Sequence, residues 1–185
     1  MIIQIDKRII SIPAKFDIFI NKQHSYVASE KLFRIFDEIN LYKIENKKIK
    51  YRIKRKFFLM NPIYEIICKN NITYLFKTTR VFKGHHYCKI GQDYYDIYAH
   101  KDRKYSVYKN NKKIAWWDKE MFSLLGGDSY KIIVANDCDY ELVISFCLII
   151  NNAFSKNRTG KKYAINIDFG NMLEAKEFDR AWRPK

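Results

Sequence analysis

Up to Ala135 the chain alternates apolar and polar positions with a period of two over most of its length. In IKYRIKR, residues 49–55, Ile49, Tyr51 and Ile53 fall on one side and Lys50, Arg52 and Lys54 on the other, as in a strand with one buried face. Alternation and β-rich composition predict further strands at KFDIFI (15–20), SYVAS (25–29), LYKIE (41–45), IYEIICK (63–69), ITYLFKT (72–78), YYDIYAH (94–100), KYSVYK (104–109), KIAWW (113–117) and YKIIVA (130–135). Asn70-Asn71 and Asn110-Asn111 fall between runs, where tight hairpins need residues that tolerate positive φ. The pattern is an antiparallel meander.

Past Ala135 the pattern changes. In DYELVISFCLIINNAF, residues 139–154, Leu142, Val143, Ile144, Phe146, Cys147, Leu148, Ile149 and Ile150 cover every direction of a helical wheel, whereas a surface helix keeps one polar face. The run is too short for a membrane span, which takes about 20 apolar residues. A helix that is apolar all round has to be enclosed by the rest of the chain.

A repeat shows how. KLFRIFDEINLYKI (31–44), RKFFLMNPIYEII (55–67), TRVFKGHHYCKI (79–90) and KEMFSLLGGDSYKII (119–133) each combine a charged residue and an aromatic with a following strand that ends in Ile. Phe33, Phe58, Phe82 and Phe122 mark the same place in each unit, and an extra hairpin around YYDIYAHKDRKYSVYK widens the last gap. About ten strands wrapped round the helix would remove the edges of the sheet and give the helix an apolar sleeve. The predicted fold is therefore mainly β (α+β): a closed antiparallel β-barrel around a C-terminal hydrophobic helix at 139–154. The barrel domain is expected to span 1–154, with a basic C-terminal extension at 155–185. Within that extension, Tyr163 to Asp168 reads as an extra strand and Met172 to Phe178 as a short helix, or the whole reads as a disordered arm.

Composition adds bounds. With 185 residues, 48% of them hydrophobic and 16% aromatic, the chain is large enough for one domain with a full core. The four cysteines lack CxxC spacing, and MIIQIDKRIISIPAK lacks the uninterrupted apolar segment of a signal peptide, so a reduced, cytoplasmic protein is expected. A net charge of +15 attracts phosphate, on nucleic acid or on anionic lipid headgroups. Lys, Ile, Asn and Tyr are all abundant, however, as an AT-rich coding sequence produces, so the charge alone selects no partner.

The recurring strand, charged-aromatic junction and strand, closed by YKIIVANDCDYELVISFCLIINNAF as a last strand and an apolar helix, resembles the Tubby C-terminal-like fold. The likeness is to its small prokaryotic, LURP-one-related branch, and it covers roughly residues 13–154. Phospholipid scramblases are thought to share this fold. The resemblance implies a closed barrel of about twelve strands threaded by the C-terminal helix. It also implies a non-enzymatic module, with phosphoinositide binding through basic barrel residues in Tubby proteins and membrane association in the scramblase relatives. No Tubby lipid-site motif can be placed residue by residue on this chain, and the tail SKNRTGKKYAINIDFGNMLEAKEFDRAWRPK continues past the point where such domains usually stop.

Asn136, Asp137, Asp139 and Glu141 lie where scramblases carry a calcium-binding segment, and oxygen ligands at alternate positions suit calcium. The same residues precede and open a helix, where Asp and Asn cap free N–H groups and Glu favours the positive dipole end. Capping is the reading adopted, since no loop with a central Gly and a terminal bidentate Glu is present. In GHHYC (84–88), His86 and Cys88 project on one face of a strand, but two ligands do not make a metal site, and His24 and His100 stand alone. There is no GxSxG, no Cys-His signature and no GxxxxGK[ST], so neither catalysis nor a cofactor is expected.

The best binding candidate is KKIKYRIKRK (47–56), with Lys47, Lys48, Lys50, Arg52, Lys54 and Arg55 as the ligand-binding residues for an anionic headgroup. A solvated strand that keeps a barrel soluble explains the same run. Trp116 and Trp117 are adjacent, so one faces the core and the other is exposed or covered by the tail. The expected function is a Tubby-like binding or interaction module, peripheral at an anionic phospholipid surface; the alternative is a basic, nucleic-acid-binding β-protein. A basic rim round an exposed apolar tip would favour lipid, and an aromatic row on the basic face would favour bases.

Overall fold

The structure, a computed structural model, describes residues 1–8, 13–31, 38–56, 63–80, 84–120, 128–155, 176–179 and 181–184. These form twelve strands and one α-helix. The strands are β1 (Ile2–Lys7), β2 (Lys15–Ile20), β3 (Gln23–Glu30), β4 (Glu38–Lys43), β5 (Ile49–Lys56) and β6 (Ile63–Ile67), then β7 (Thr73–Arg80), β8 (His85–Ile90), β9 (Asp93–Ala99), β10 (Lys104–Lys109), β11 (Lys112–Glu120) and β12 (Ser129–Val134). Every neighbour in the chain is an antiparallel neighbour in the sheet, and β1 pairs with β12 to close the barrel.

The period-two pattern decides which side chains go inside. Ile3 and Ile5, Phe16 and Ile18, Ile39 and Leu41, Tyr64 and Ile66, and Ile132 and Val134 all point inward and are buried. The helix α1 (Tyr140–Ser155) fills the space they leave. Each residue from Leu142 to Asn152 is buried, so no face of it meets water. Phe146 sits between Phe76 and Tyr95 at centroid distances of 5.5 and 5.8 Å. The polar groups that follow the helix inside are satisfied: Ser145 Oγ donates to the Glu141 carbonyl at 3.0 Å, Asn152 donates to Glu30 at 2.9 Å, and the Tyr130 hydroxyl donates to Asn151.

Two strands complete the expected ten. β1 lies in the segment read as a failed signal peptide, and β8 was indicated only by the repeat and by the alternation of His86 with Cys88. The strand predicted at 41–45 begins earlier, at Glu38, because Glu38 and Asn40 are buried polar residues that hide the alternation. Asn70, Asn71, Asn110 and Asn111 all take positive φ, as expected of hairpin turns. The four marker phenylalanines Phe33, Phe58, Phe82 and Phe122, and the strand proposed at 163–168, lie outside the described residues. Of the helix predicted from Met172 to Phe178, residues 176–178 are described and are not helical.

One face assignment needs correction. Between Leu41↔Tyr51 and Tyr42↔Ile49 the β4–β5 register shifts, which leaves Lys50 as the extra residue of a bulge. The slip turns Ile49 outward, 40% exposed, while Tyr51 and Ile53 stay inside. It also points Lys50 towards the helix.

Candidate functional site

The even-numbered strands of this meander all run towards the end of the barrel where α1 begins. That end carries the turns β2–β3, β4–β5, β6–β7, β8–β9 and β10–β11. Asp139 caps the helix, its Oδ1 accepting the Leu142 N–H at 2.9 Å, and its Oδ2 accepts the Tyr51 hydroxyl at 3.0 Å. Glu141 accepts the Tyr26 hydroxyl and lies 3.3 Å from Lys50 Nζ. Burial, reinforced by Glu141 for Tyr26 and by Asp139 for Tyr51, pushes both phenols well above their ordinary range and keeps them as donors. Asn136 and Asp137 turn elsewhere, and Asp137 lies 3.6 Å from Lys112. The four calcium candidates thus have separate partners, and among the described residues no three His, Cys, Asp or Glu converge as a metal group.

The basic candidates fall into three environments. Lys47 and Lys48 are exposed on the β4–β5 turn, Lys47 with φ of 53°. Lys50 is drawn to Glu141, and Arg52 Nε lies 3.5 Å from Glu38, which also holds Lys31 at 2.7 Å. Lys54 stands in register with Glu38 on one side and Glu65 on the other, and Lys56 pairs with Glu65 at 3.0 Å. Arg55 has the inward parity and sits opposite the buried Tyr64, so it does not share the face of Arg52 and Lys54. Cross-strand pairing therefore neutralises much of the strand face. Its acidic partners lie on β4 and β6, far in sequence from the basic run.

The turns keep their charge. Beside Lys47 and Lys48 stand the exposed Ile44 and Ile49, and the adjacent β6–β7 turn presents Ile72, 52% exposed, next to Lys69. None of these three lysines has an ion pair with a side chain. This apolar tip with a basic rim was not singled out from the sequence. Its signal was present in the spacing of Ile44, Lys47, Lys48 and Ile49, and became visible once the bulge turned Ile49 outward.

Histidines make the remaining polar constellations. His86 is buried inside β8, with Nδ1 3.1 Å from Thr78 Oγ1 and its ring stacked on Phe76. Burial lowers it to about 3, which keeps the ring neutral, and raises Cys88 to about 12, which keeps that thiol protonated; no third ligand converges on them among the described residues. On the outside, Thr79 Oγ1 lies 2.7 Å from His85 Nδ1, and His85 Nε2 lies 2.8 Å from Asp96. This order resembles a nucleophile–base–orienter chain. Yet the Thr79 hydroxyl also donates to the His85 carbonyl at 3.2 Å, and Thr79 is the extra residue of the β7–β8 bulge, so the contacts stitch that bulge. His24 lies 3.0 Å from Asp17, and His100 Nε2 lies 2.7 Å from Ser106 Oγ.

Against known families, the LURP-one-related model matches residues 1–151. The chain belongs to the LURP-one-related family. That family is part of the Tubby-like superfamily, and the closed barrel with its enclosed helix fits the fold. LURP-one-related and Tubby-like proteins are generally non-enzymatic. No curated protein and no solved structure gave a match. The LURP-one-related match ends inside α1, so the segment from 152 onward, including the described residues 176–179 and 181–184, lies beyond it. No helix among the described residues is long and apolar enough to cross a membrane.

Proposed function

We propose that this chain is a non-enzymatic Tubby-like binding module that docks on anionic phospholipid surfaces through the end of the barrel where α1 begins. The observation that carries this reading is the apolar tip of Ile44, Ile49 and Ile72, 38%, 40% and 52% exposed, rimmed by Lys47, Lys48 and Lys69 on two adjacent turns. Isoleucines enter the headgroup layer while the lysines meet lipid phosphate. Arg52 and Lys54, engaged with or flanked by Glu38 and Glu65, contribute less. The nucleic-acid reading is the weaker one. Bases would need an aromatic row on the basic face, whereas Tyr98, Tyr108 and Trp116 lie on β9, β10 and β11, and β11 is six places round the twelve-strand ring from β5.

The test is cosedimentation with phosphatidylserine vesicles beside single-stranded RNA binding, both at one ionic strength. At about 1 kcal/mol per lysine near the surface, the variant carrying Lys47→Gln and Lys48→Gln should bind vesicles about tenfold to thirtyfold more weakly. Lys54→Gln should change binding about twofold or less. Wild type that ignores the vesicles and holds RNA would replace this reading by the nucleic-acid one.

A further inference from the structure

On the opposite side of the barrel, polar and aromatic side chains with outward parity are buried. Ser106 is 1% exposed, and Tyr108 and Lys113 are also buried, although Val107 and Ala115 between and beside them point into the core. A barrel's outer face is covered only if something lies on it. The cover is the tail. Phe178 packs edge-on against Trp116 at 5.6 Å and against His100 at 5.0 Å. Lys176 Nζ sits 3.6 Å above the Tyr108 ring and 5.6 Å from Tyr98. Lys113 Nζ donates to the Asp179 carbonyl at 2.9 Å and faces the rings of Phe178 and Trp182 at 4.8 and 5.4 Å.

Exposure along the tail alternates. Lys176, Phe178, Trp182 and Pro184 are half-buried, whereas Glu177, Asp179, Ala181 and Arg183 are exposed. From Lys176 to Asp179 every second side chain lies on the sheet beneath, and a turn follows in which Asp179 Oδ1 accepts the N–H groups of Ala181 and Trp182 at 2.9 and 3.1 Å and the Trp182 ring comes back to Lys113. We propose that the outer face of β9–β11 is a docking groove for a protein segment with a basic residue two positions before an aromatic one, occupied here in cis by residues 176–179 and 181–184.

Three observations carry a protein segment as the occupant. The groove matches its occupant by chemistry: aromatic faces on Tyr98 and Tyr108 receive a cation, and Lys113 receives a ring and a backbone carbonyl. The Glu177 side chain is exposed, and Asp179 meets Lys113 through its backbone carbonyl, a group that every residue carries. The barrel core is built from residues before Asn151, so the occupant is separable from the fold it covers. The occupant belongs to the same chain, so it competes with an outside segment as an intramolecular ligand, at an effective concentration on the order of millimolar. An outside segment therefore wins only when the cis contact is weakened. This groove, on the outer face of β9–β11, is distinct from the tip proposed for lipid on the β4–β5 and β6–β7 turns.

The test uses the full chain carrying Lys176→Gln and Phe178→Ala, and a labelled synthetic peptide of residues 175–185 as the probe. The vacated variant should bind the peptide about tenfold or more tighter than wild type does. Phe178→Ala in the peptide, or Trp116→Ala in the variant, should remove about tenfold of that affinity. A folded variant that binds no better than wild type, or a peptide indifferent to its ring, overturns the proposal. A second measurement needs no variant: in ¹⁵N-labelled wild type, unlabelled peptide at about 5 mM should shift the Trp182 indole resonance towards its unfolded position. A resonance that stays fixed overturns the groove, and a wild-type dimer that Phe178→Ala dissolves assigns it to a second copy instead of a partner.

Discussion

The outer faces of β5 and of β9–β11 come from the same alternation on the same sheet, yet they are finished differently. On β5, Lys54 stands in register with Glu38 and Glu65, Lys56 pairs with Glu65, and Arg52 is drawn to Glu38. On β9–β11 the outward residues are rings, a serine and a partly desolvated lysine, and a separate segment of chain lies over them. The difference teaches that charged side chains find their partners across neighbouring strands, while rings find theirs on a distant segment of chain.

The largest expected effect comes from the support both faces share. Phe146→Asp would place a carboxylate without a partner between Phe76 and Tyr95, at a cost of more than about 3 kcal/mol. Denaturant titration and soluble yield check it: the charged and the covered face should be lost together. A soluble, cooperatively folding variant would mean the helix does not hold the barrel.

Next comes a pH dependence from inside the wall that joins the two faces. His86 is buried and neutral, lowered to about 3 chiefly by burial and then by His85, whereas in the unfolded chain it titrates near the ordinary histidine value. The unfolded state therefore binds more protons between these values, so stability is full above about pH 6.5 and falls as the pH drops, by about 1.4 kcal/mol per unit. Urea titrations from pH 7.5 to 4.5 should show a loss of about 2–3 kcal/mol more in wild type than in His86→Gln. Equal slopes would remove His86 from the explanation.

The smallest effects bear directly on the contrast. Phe178→Ala should speed amide hydrogen exchange across 176–184 about tenfold, while Lys56→Gln should leave global stability within about 0.5 kcal/mol, because its pair with Glu65 is half-exposed. A Lys56→Gln loss larger than that of Phe178→Ala would reverse the ranking of the two faces.

The helix and its enclosure were legible because an apolar wheel without a polar side has one stable solution, and the predicted span differs from the observed one by a residue at each end. The hairpins at Asn70-Asn71 and Asn110-Asn111 were legible for a local reason, their tolerance of positive φ. Three features were not. The neutralisation of Arg52 and Lys54 depends on Glu38 and Glu65, which only the register brings alongside. The outward turn of Ile49 depends on a bulge, which one extra residue creates without any mark in the alternation. The contacts of Phe178 and Lys176 join segments about seventy residues apart; the Trp116-Trp117 dipeptide showed that one ring had to find a place outside the core, with Trp117 taking the inside beside Tyr105.

The seam between β1 and β12 sets an order for the molecule's birth. A ribosome releases β1 first, but its partner Ile132 opposite Ile3 emerges some 130 residues later, and the helix that fills the lumen follows later still. Any sheet formed before then would have an unpaired border and an unfilled apolar trough, the kind of intermediate that chaperones shield. Closure is consequently the last pairing that the order of synthesis allows, joining the two strands most distant in the chain, and such long-range pairing folds on the millisecond-to-second scale.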